Sequence, residues 1–302
     1  MAADQQPEEQ QPAEEIIIQV ILDGRHHWTG TQLIGEGHFA NVYKVTRDGQ
    51  DGRDDLGAAK IANDLTGLQN ELALLQRINN QSSFLPSLLD HGLVGGHDFI
   101  VFSLEGMDLW EHWLSLGRFA CVPPRDIHYF AWHGFKALQN LHSFNILHRD
   151  IKPDNFAYGI TTGKSEIVLL DLGHAVFVPV RDGVRMYPPA DDPLFRQRMT
   201  SPRNMERGDH TEVDDIYMYM FSLLTMACAF DVFCPFDERL RKKRALMANP
   251  SETLSHIYQY FVPLVTAIGN LQYGQLPDYA SIFASVDAME RIIIDDEDHM
   301  WI

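Results

Sequence analysis

Between Trp28 and Arg47, "WTGTQLIGEGHFANVYKVTR" alternates apolar and polar residues on either side of a glycine turn. Period-two alternation around a turn predicts a strand, a turn and a second strand, with Val42 and Tyr43 on opposite faces. Before it, the β-branched run "EEIIIQVIL" (14–22) reads as a strand. After it, "DGQDGRDDLG" reads as a polar loop and "AAKIAN" as a short strand. The pattern then changes. In "TGLQNELALLQRIN" the residues Leu68, Leu72, Leu75 and Ile78 recur at helical spacing, which predicts a helix. "HDFIVFSLEG" returns to a strand. Beyond it the chain is mostly helical. A long segment opens at Pro124, and further helices are predicted at 212–230, 252–270 and 279–294. The apolar strand "EIVLLDLGHAVFV" interrupts them at 166–178. The fold class is therefore α+β, with a small β-rich lobe over residues 16–102 and a larger α-rich lobe over 103–302. Clefts between lobes are common ligand sites.

Composition changes this picture little. The 302 residues are 45% hydrophobic, enough for a sizeable core. No apolar run is long enough to predict a membrane span. The acidic opening "MAADQQPEEQQPAEE" lacks the basic and apolar parts of a signal peptide, and residues 1–15 are expected to form a disordered tail. The net charge of −18 excludes bulk electrostatic attraction to nucleic acid or to an anionic membrane. Cys121, Cys228 and Cys234 are odd in number and contain no CxxC pair. They are expected to be buried small hydrophobes without a disulfide, in a reducing intracellular compartment, cytoplasm or nucleus.

The chemistry concentrates in "LHRDIKPDNF" (147–156), which crowds a histidine, an arginine, two aspartates, a lysine and an asparagine around one proline. Alone it would pass for a solvated loop. Its company argues otherwise. Gly35 and Gly37 lie in a strand turn, where a backbone without side chains can approach a phosphate chain. Lys60 is a lone cation in the otherwise apolar strand "AAKIA", and such a charge needs a partner. Glu71, the acid of the following helix, can supply it. Asp150, Lys152 and Asn155 follow, and Asp171 ends an apolar strand as Asp-Leu-Gly.

This ordered set resembles the protein-kinase signature over roughly residues 28–302. The resemblance implies a bilobal kinase fold, ATP and Mg²⁺ as cofactors, a protein substrate and a monomer. It implies that Gly35, Gly37 and Val42 cover the nucleotide, that Lys60 holds its phosphates, and that Glu71 orients Lys60. Asp150 would take the substrate hydroxyl's proton, Lys152 would neutralise the transferred phosphoryl group, and Asn155 and Asp171 would hold Mg²⁺. It further implies that Asp215 anchors the catalytic loop from below, although a first-turn acid favoured by the helix dipole is an equally plain reading. Ala40 stands at the family's third glycine, and Leu172 at its usual phenylalanine.

Three stretches resemble the casein kinase 1 group, which includes the tau-tubulin and vaccinia-related kinases. They are "HRDIKPDNFAYG", "VFSLEGMDLWEHW" and "LPDYASIFASV". The second implies Phe102 as gatekeeper, with the backbone of Ser103–Glu105 facing adenine. The group's preference for acidic or phosphate-primed serines and threonines points to the arginine-rich stretch 181–207. Arg196, Arg198 and Arg203 are its leading substrate contacts, since arginine forks bind phosphate and carboxylate. Two readings compete with an active serine/threonine kinase. One is a pseudokinase or scaffold, suggested by Ala40, Leu172 and the altered "PLFRQRMTSPRN". The other is a small-molecule phosphotransferase, against which Lys152 and the Pro-Asp-Tyr segment stand.

Overall fold

The computed structural model describes residues 27–37, 40–47, 56–63, 68–117, 120–187, 210–231 and 234–299. The tail, the predicted strand at 14–22, and Arg196, Arg198 and Arg203 lie outside the described residues.

Five strands form the first lobe: β1 (Trp28–Glu36), β2 (Ala40–Arg47), β3 (Leu56–Ala62), β4 (Leu88–Val94) and β5 (His97–Ser103). They are antiparallel, in the order β1-β2-β3-β5-β4. β1 and β4 are opposite edges, yet the Trp28 indole donates to Asp90 Oδ2 across 3.2 Å. Only a sheet curled back on itself brings its two edges together. Inside the curl Trp28, Val45, Ala59, Phe99 and Val101 form a small core of their own. Against the sheet lies α1 (Gln69–Ile78), which ends on left-handed Asn79. It buries Glu71, Leu74, Leu75 and Ile78, so one charged residue lies in the apolar stripe.

The second lobe is helical: α2 (Leu109–Ser115), α3 (Pro124–Ser143), α4 (Glu212–Met226), α5 (Phe236–Ala248), α6 (Pro250–Thr253), α7 (Val262–Gly269) and α8 (Tyr279–His299). Small strand pairs carry the cleft loops: β6 (Ile146–Leu147) with β9 (Val176–Phe177), and β7 (Phe156–Tyr158) with β8 (Ile167–Leu169). A hairpin of β10 (Val180–Arg181) and β11 (Val184–Arg185) follows. α3 and α4 cross closely because Gly134 leaves room for the Tyr219 ring, whose hydroxyl donates to Phe130 O at 2.7 Å. Nearly all of α4 is buried, and one continuous core joins α1 and β5 to the helices below.

Three expectations are corrected. The stretch 252–270 is not one helix: α6, a 3₁₀ turn (His256–Phe261) and α7 share it, with Pro263 in the first turn of α7. β4, α2 and α5 went unpredicted. In α5, "FDERLRKKRALMA", charges interrupt the apolar period: Leu246 is buried, Lys243 lies over the Phe221 ring (4.3 Å), and Glu238 and Lys242 pair on the exposed side. The cysteines are not all buried thiols. Cys121 and Cys228 are exposed and joined as a disulfide across 107 residues, and Cys234 is free and half-buried. The segment before α3 packs on the end of α4, where the Val122 amide donates to Met226 O at 2.9 Å, and this brings the two cysteines together. An argument for a reducing compartment from unpaired cysteines therefore loses its ground.

Candidate active site

β3 is a central strand, flanked by β2 and β5, with Lys60 paired opposite Val42 and Ile100. Its ammonium lies 2.8 Å from Glu71 Oε2 and 2.6 Å from Asp171 Oδ1. The other oxygen of Glu71 accepts the Leu172 amide at 3.0 Å. Thus one buried acid of α1 ties the sheet to the Asp-Leu-Gly turn below. Asn70 makes a second tie, its amide donating to Ala175 O at 2.9 Å. Burial disfavours a charge on Lys60, but two carboxylates outweigh it and hold the ammonium well above the ordinary lysine range. Burial pushes the Asp171 carboxyl up, and the Lys60 charge and the Gly173 amide bring it well below the usual range. Burial raises Glu71, against the pull of Lys60. Removing Glu71 leaves Lys60 with only Asp171. Glu71→Ala is expected to lower phosphoryl transfer by about 100-fold, read in a transfer assay, with the cooperative unfolding transition retained.

The catalytic-loop stretch takes its shape from a residue far along the chain. Asp215, fully buried on α4, accepts the amides of His148 (2.7 Å) and Arg149 (2.9 Å). Arg149 is held at φ 70°, a left-handed conformation that a non-glycine residue keeps only when its surroundings impose it. Asp215 therefore does anchor the loop, and the capping role belongs to Asp214, which accepts the Thr211 amide at 2.8 Å. The turned loop sets Asp150 beside Lys152 Nζ at 3.3 Å. The Asn155 amide donates to Asp150 O at 2.7 Å, which fixes the direction of its carbonyl oxygen. His148 is structural, with Nε2 2.8 Å from Leu170 O.

Sequence reasoning missed two further partners of Asp215: His142 Nε2 at 3.1 Å and His210 Nε2 at 2.9 Å. His142 also meets the Tyr279 hydroxyl at 2.7 Å. No spacing in the chain signals this cluster. Burial alone would lower His210, but the hydrogen bond and charge of Asp215, then the charge of Asp214, lift it above 6.5. A raised folded pKa means a contribution fully present below the unfolded value and lost as pH rises through the folded one. Stability is therefore expected to fall as pH rises past the ordinary histidine value of about 6.5. His210→Gln should flatten that slope, as measured by urea unfolding on both sides of that value.

At the roof, the Gly37 amide donates to Ala40 O at 3.0 Å, and a Cβ on Gly37 would stand 3.1 Å from the same oxygen. Gly35 pairs opposite Val42, directly above Lys60. At the hinge, the Ser103 hydroxyl donates to Glu105 Oε1 (2.7 Å), while Glu105 Oε2 accepts the amides of Ile160 and Thr161. The Ser103 amide donates to Ser87 O at 2.9 Å. Lys60, Glu71 and Asp171 meet directly, with Val42 and Gly35 on the strands beside Lys60. Asp150, Lys152 and Asn155 meet one another, and the Leu170 amide donates to Asn155 O at 2.8 Å just before Asp171. Gly37 lies at the β1–β2 turn, and Ser103 bonds Glu105 at the hinge.

The donor set also suits a cation. Among the described residues no three His, Cys, Asp or Glu side chains form a self-contained metal cage. Asn155 and Asp171 offer hard oxygens, and Mg²⁺ on a nucleotide usually takes only one or two from the protein. Asp171 Oδ1 accepts from Lys60 Nζ and the Gly173 amide, and the side chain is 36% exposed.

A curled five-stranded sheet over a helical lobe, with the Lys60–Glu71–Asp171 contacts between them, is the arrangement of the bilobal kinase fold. Residues 28–265 match the family described as "Protein kinase domain", and the chain belongs to that family. It is 32% identical over 161 residues to "Serine/threonine-protein kinase zyg-8" of Caenorhabditis elegans, covering 51% of this chain and 19% of that protein. It is 30% identical over 93 residues to "Casein kinase 1-like protein HD16" of Oryza sativa subsp. japonica, covering 30% and 13%. Its fold is similar to "Structure of vaccinia related kinase 3", at a TM-score of 0.70 and 14% identity, covering 94% of both chains. The chain spans about a fifth or less of the length of the two named relatives. Of these, the Oryza sativa relative carries a casein kinase 1-like name, in keeping with the resemblance read from the three stretches. No helix among the described residues is long and apolar enough to cross a membrane.

Proposed function

We propose that this chain is a Mg²⁺- and ATP-dependent serine/threonine protein kinase. The observation that carries the reading is the line Glu71–Lys60–Asp171 across the cleft, set above Asp150, Lys152 and Asn155. Asn155 and Asp171 would hold Mg²⁺, which when bound neutralises charge on the phosphates. Lys60 binds the α- and β-phosphates and Glu71 keeps it aimed. Asp150 orients the substrate hydroxyl and accepts its proton, and Lys152 stabilises charge on the transferred group. Substrates with acidic or phosphorylated residues near the target serine are favoured, with Arg196, Arg198 and Arg203 as the contacts. The test is transfer of labelled phosphate from ATP to casein, with and without Mg²⁺, followed by paired acidic and basic peptide series. Mg²⁺-dependent labelling of serine or threonine, with the acidic series preferred at low salt, is expected. A nucleotide-induced rise in melting temperature without labelling would favour a scaffold instead.

A further inference from the structure

Four successive carbonyls after α1 are all taken by donors from one stretch of the second lobe. Lys164 Nζ donates to Ser82 O at 3.2 Å and to Leu85 O at 2.6 Å. Between them, the Ser165 amide donates to Ser83 O and the Leu169 amide to Phe84 O, each at 2.8 Å. The Ser83 and Ser165 hydroxyls also meet, at 3.0 Å. Connecting loops ordinarily run over the surface and give such carbonyls to water. The donors lie on the β7–β8 loop and on β8, which ends two residues before Asp171. The acceptors lie on the loop that leads from the end of α1, the helix of Glu71, to β4. The opposite end of the β7–β8 loop is held at the hinge. There the Ile160 and Thr161 amides donate to Glu105 Oε2 at 3.2 and 3.3 Å, and the Thr161 hydroxyl donates to Leu104 O at 3.0 Å. Burial draws Lys164 below the ordinary lysine range, against the pull of the Glu105 charge.

α1 is therefore tied to the segment around Asp171 at both ends. In its first turn Glu71 accepts the Leu172 amide, and Asn70 donates to Ala175 O. Beyond its last turn, about 15 Å along the axis, the Lys164 contacts hold the chain. A helix fixed at one end alone could pivot, and the second tie removes that freedom. We propose that Lys164 is a positioning residue for phosphoryl transfer: it clips the loop after α1 to the stretch that leads into Asp171, and so keeps Glu71 and Asp171 in the register that brings both to Lys60. The catalytic half of this inference rests on the kinase reading above; the clip itself does not. Ser82 and Leu85 are buried, so their carbonyls are costly to leave unpaired. Lys164→Met keeps the apolar stem and removes every donor. Lys164→Arg restores a charged group that can donate to two oxygens at once.

The experiment compares the parent, Lys164→Met and Lys164→Arg in two measurements on the full chain. The first is amide hydrogen exchange read by mass spectrometry, in peptides covering 81–88 and 159–169, with a peptide from α3 as the control for general unfolding. The second is phosphate transfer to casein, with kcat and KM taken separately at saturating Mg²⁺ and ATP. In Lys164→Met, exchange in the two loop peptides is expected to speed up about tenfold with α3 unchanged. Its kcat is expected to fall about tenfold, with KM for casein within about threefold, because Glu71 and Asp171 act on the phosphates. Lys164→Arg is expected to recover most of both. Unchanged loop exchange in Lys164→Met would overturn the clip. Equal acceleration in α3 would reduce it to general stability. Faster loop exchange with a kcat that is unaltered or higher would overturn the positioning role. So would a kcat equally low in Lys164→Arg when that variant restores the slow exchange. A parent that labels no protein would sink the kinase reading, and with it the positioning role, while the exchange rates still decide the clip.

Discussion

Asp150→Asn is expected to lower kcat for phosphate transfer to casein by about 10²–10⁴-fold, with the melting temperature nearly unchanged. Asp150 is held by its surroundings through its backbone: its carbonyl accepts the Asn155 amide, and its amide lies 3.3 Å from His148 Nδ1. Its carboxylate meets Lys152 at 3.3 Å, and that lysine is 44% exposed, so the pair contributes little to stability. Asparagine fits the same volume but cannot accept a proton from a hydroxyl. The loss is therefore the contribution of a positioned base, about 10²–10⁴-fold. Single-turnover labelling beside thermal unfolding checks it. A variant within about threefold of the parent would remove Asp150 from the chemistry.

Asp215→Asn is expected to do the opposite kind of damage, lowering both stability and activity. Two backbone amides and two histidines converge on this buried carboxylate. Burial raises its pKa, and the hydrogen bonds and charges of His142 and His210 hold it far below the ordinary range. An asparagine has one acceptor oxygen and turns an NH₂ group toward donors. Breaking a buried charged network by removing one partner costs about 3–5 kcal/mol, out of a total of about 5–15 kcal/mol for a typical domain. A fall in melting temperature of roughly 10 °C is expected. Transfer should fall more than about 100-fold even below that temperature, because left-handed Arg149 loses the contact that turns it and Asp150 shifts with it. Urea unfolding and transfer kinetics on the same preparation check both parts. Full activity at normal stability would show that the loop holds its shape without α4.

The residue pattern by itself determined the plan of two lobes and supplied the candidate chemistry proposed above. Alternation marked β1 and β2, helical spacing marked α1, α3 and α8, and the order Lys60, Glu71, Asp150, Lys152, Asn155, Asp171 marked a phosphotransferase. These features are legible because local periodicity and residue chemistry are carried by neighbours in the chain. Other features depended on contacts between distant segments. α5 shows no clean apolar stripe and is a helix that packs Lys243 on a ring of α4. Cys121 and Cys228 lie 107 residues apart and meet only because α4 ends beside the start of α3. Asp214 and Asp215 are adjacent and chemically identical, and only their directions on the folded helix make one a cap and the other the anchor of the catalytic loop. His142 and His210 acquired their roles the same way. A buried carboxylate must be satisfied by whatever donors the fold brings to it, and those donors come from elements that no local pattern connects.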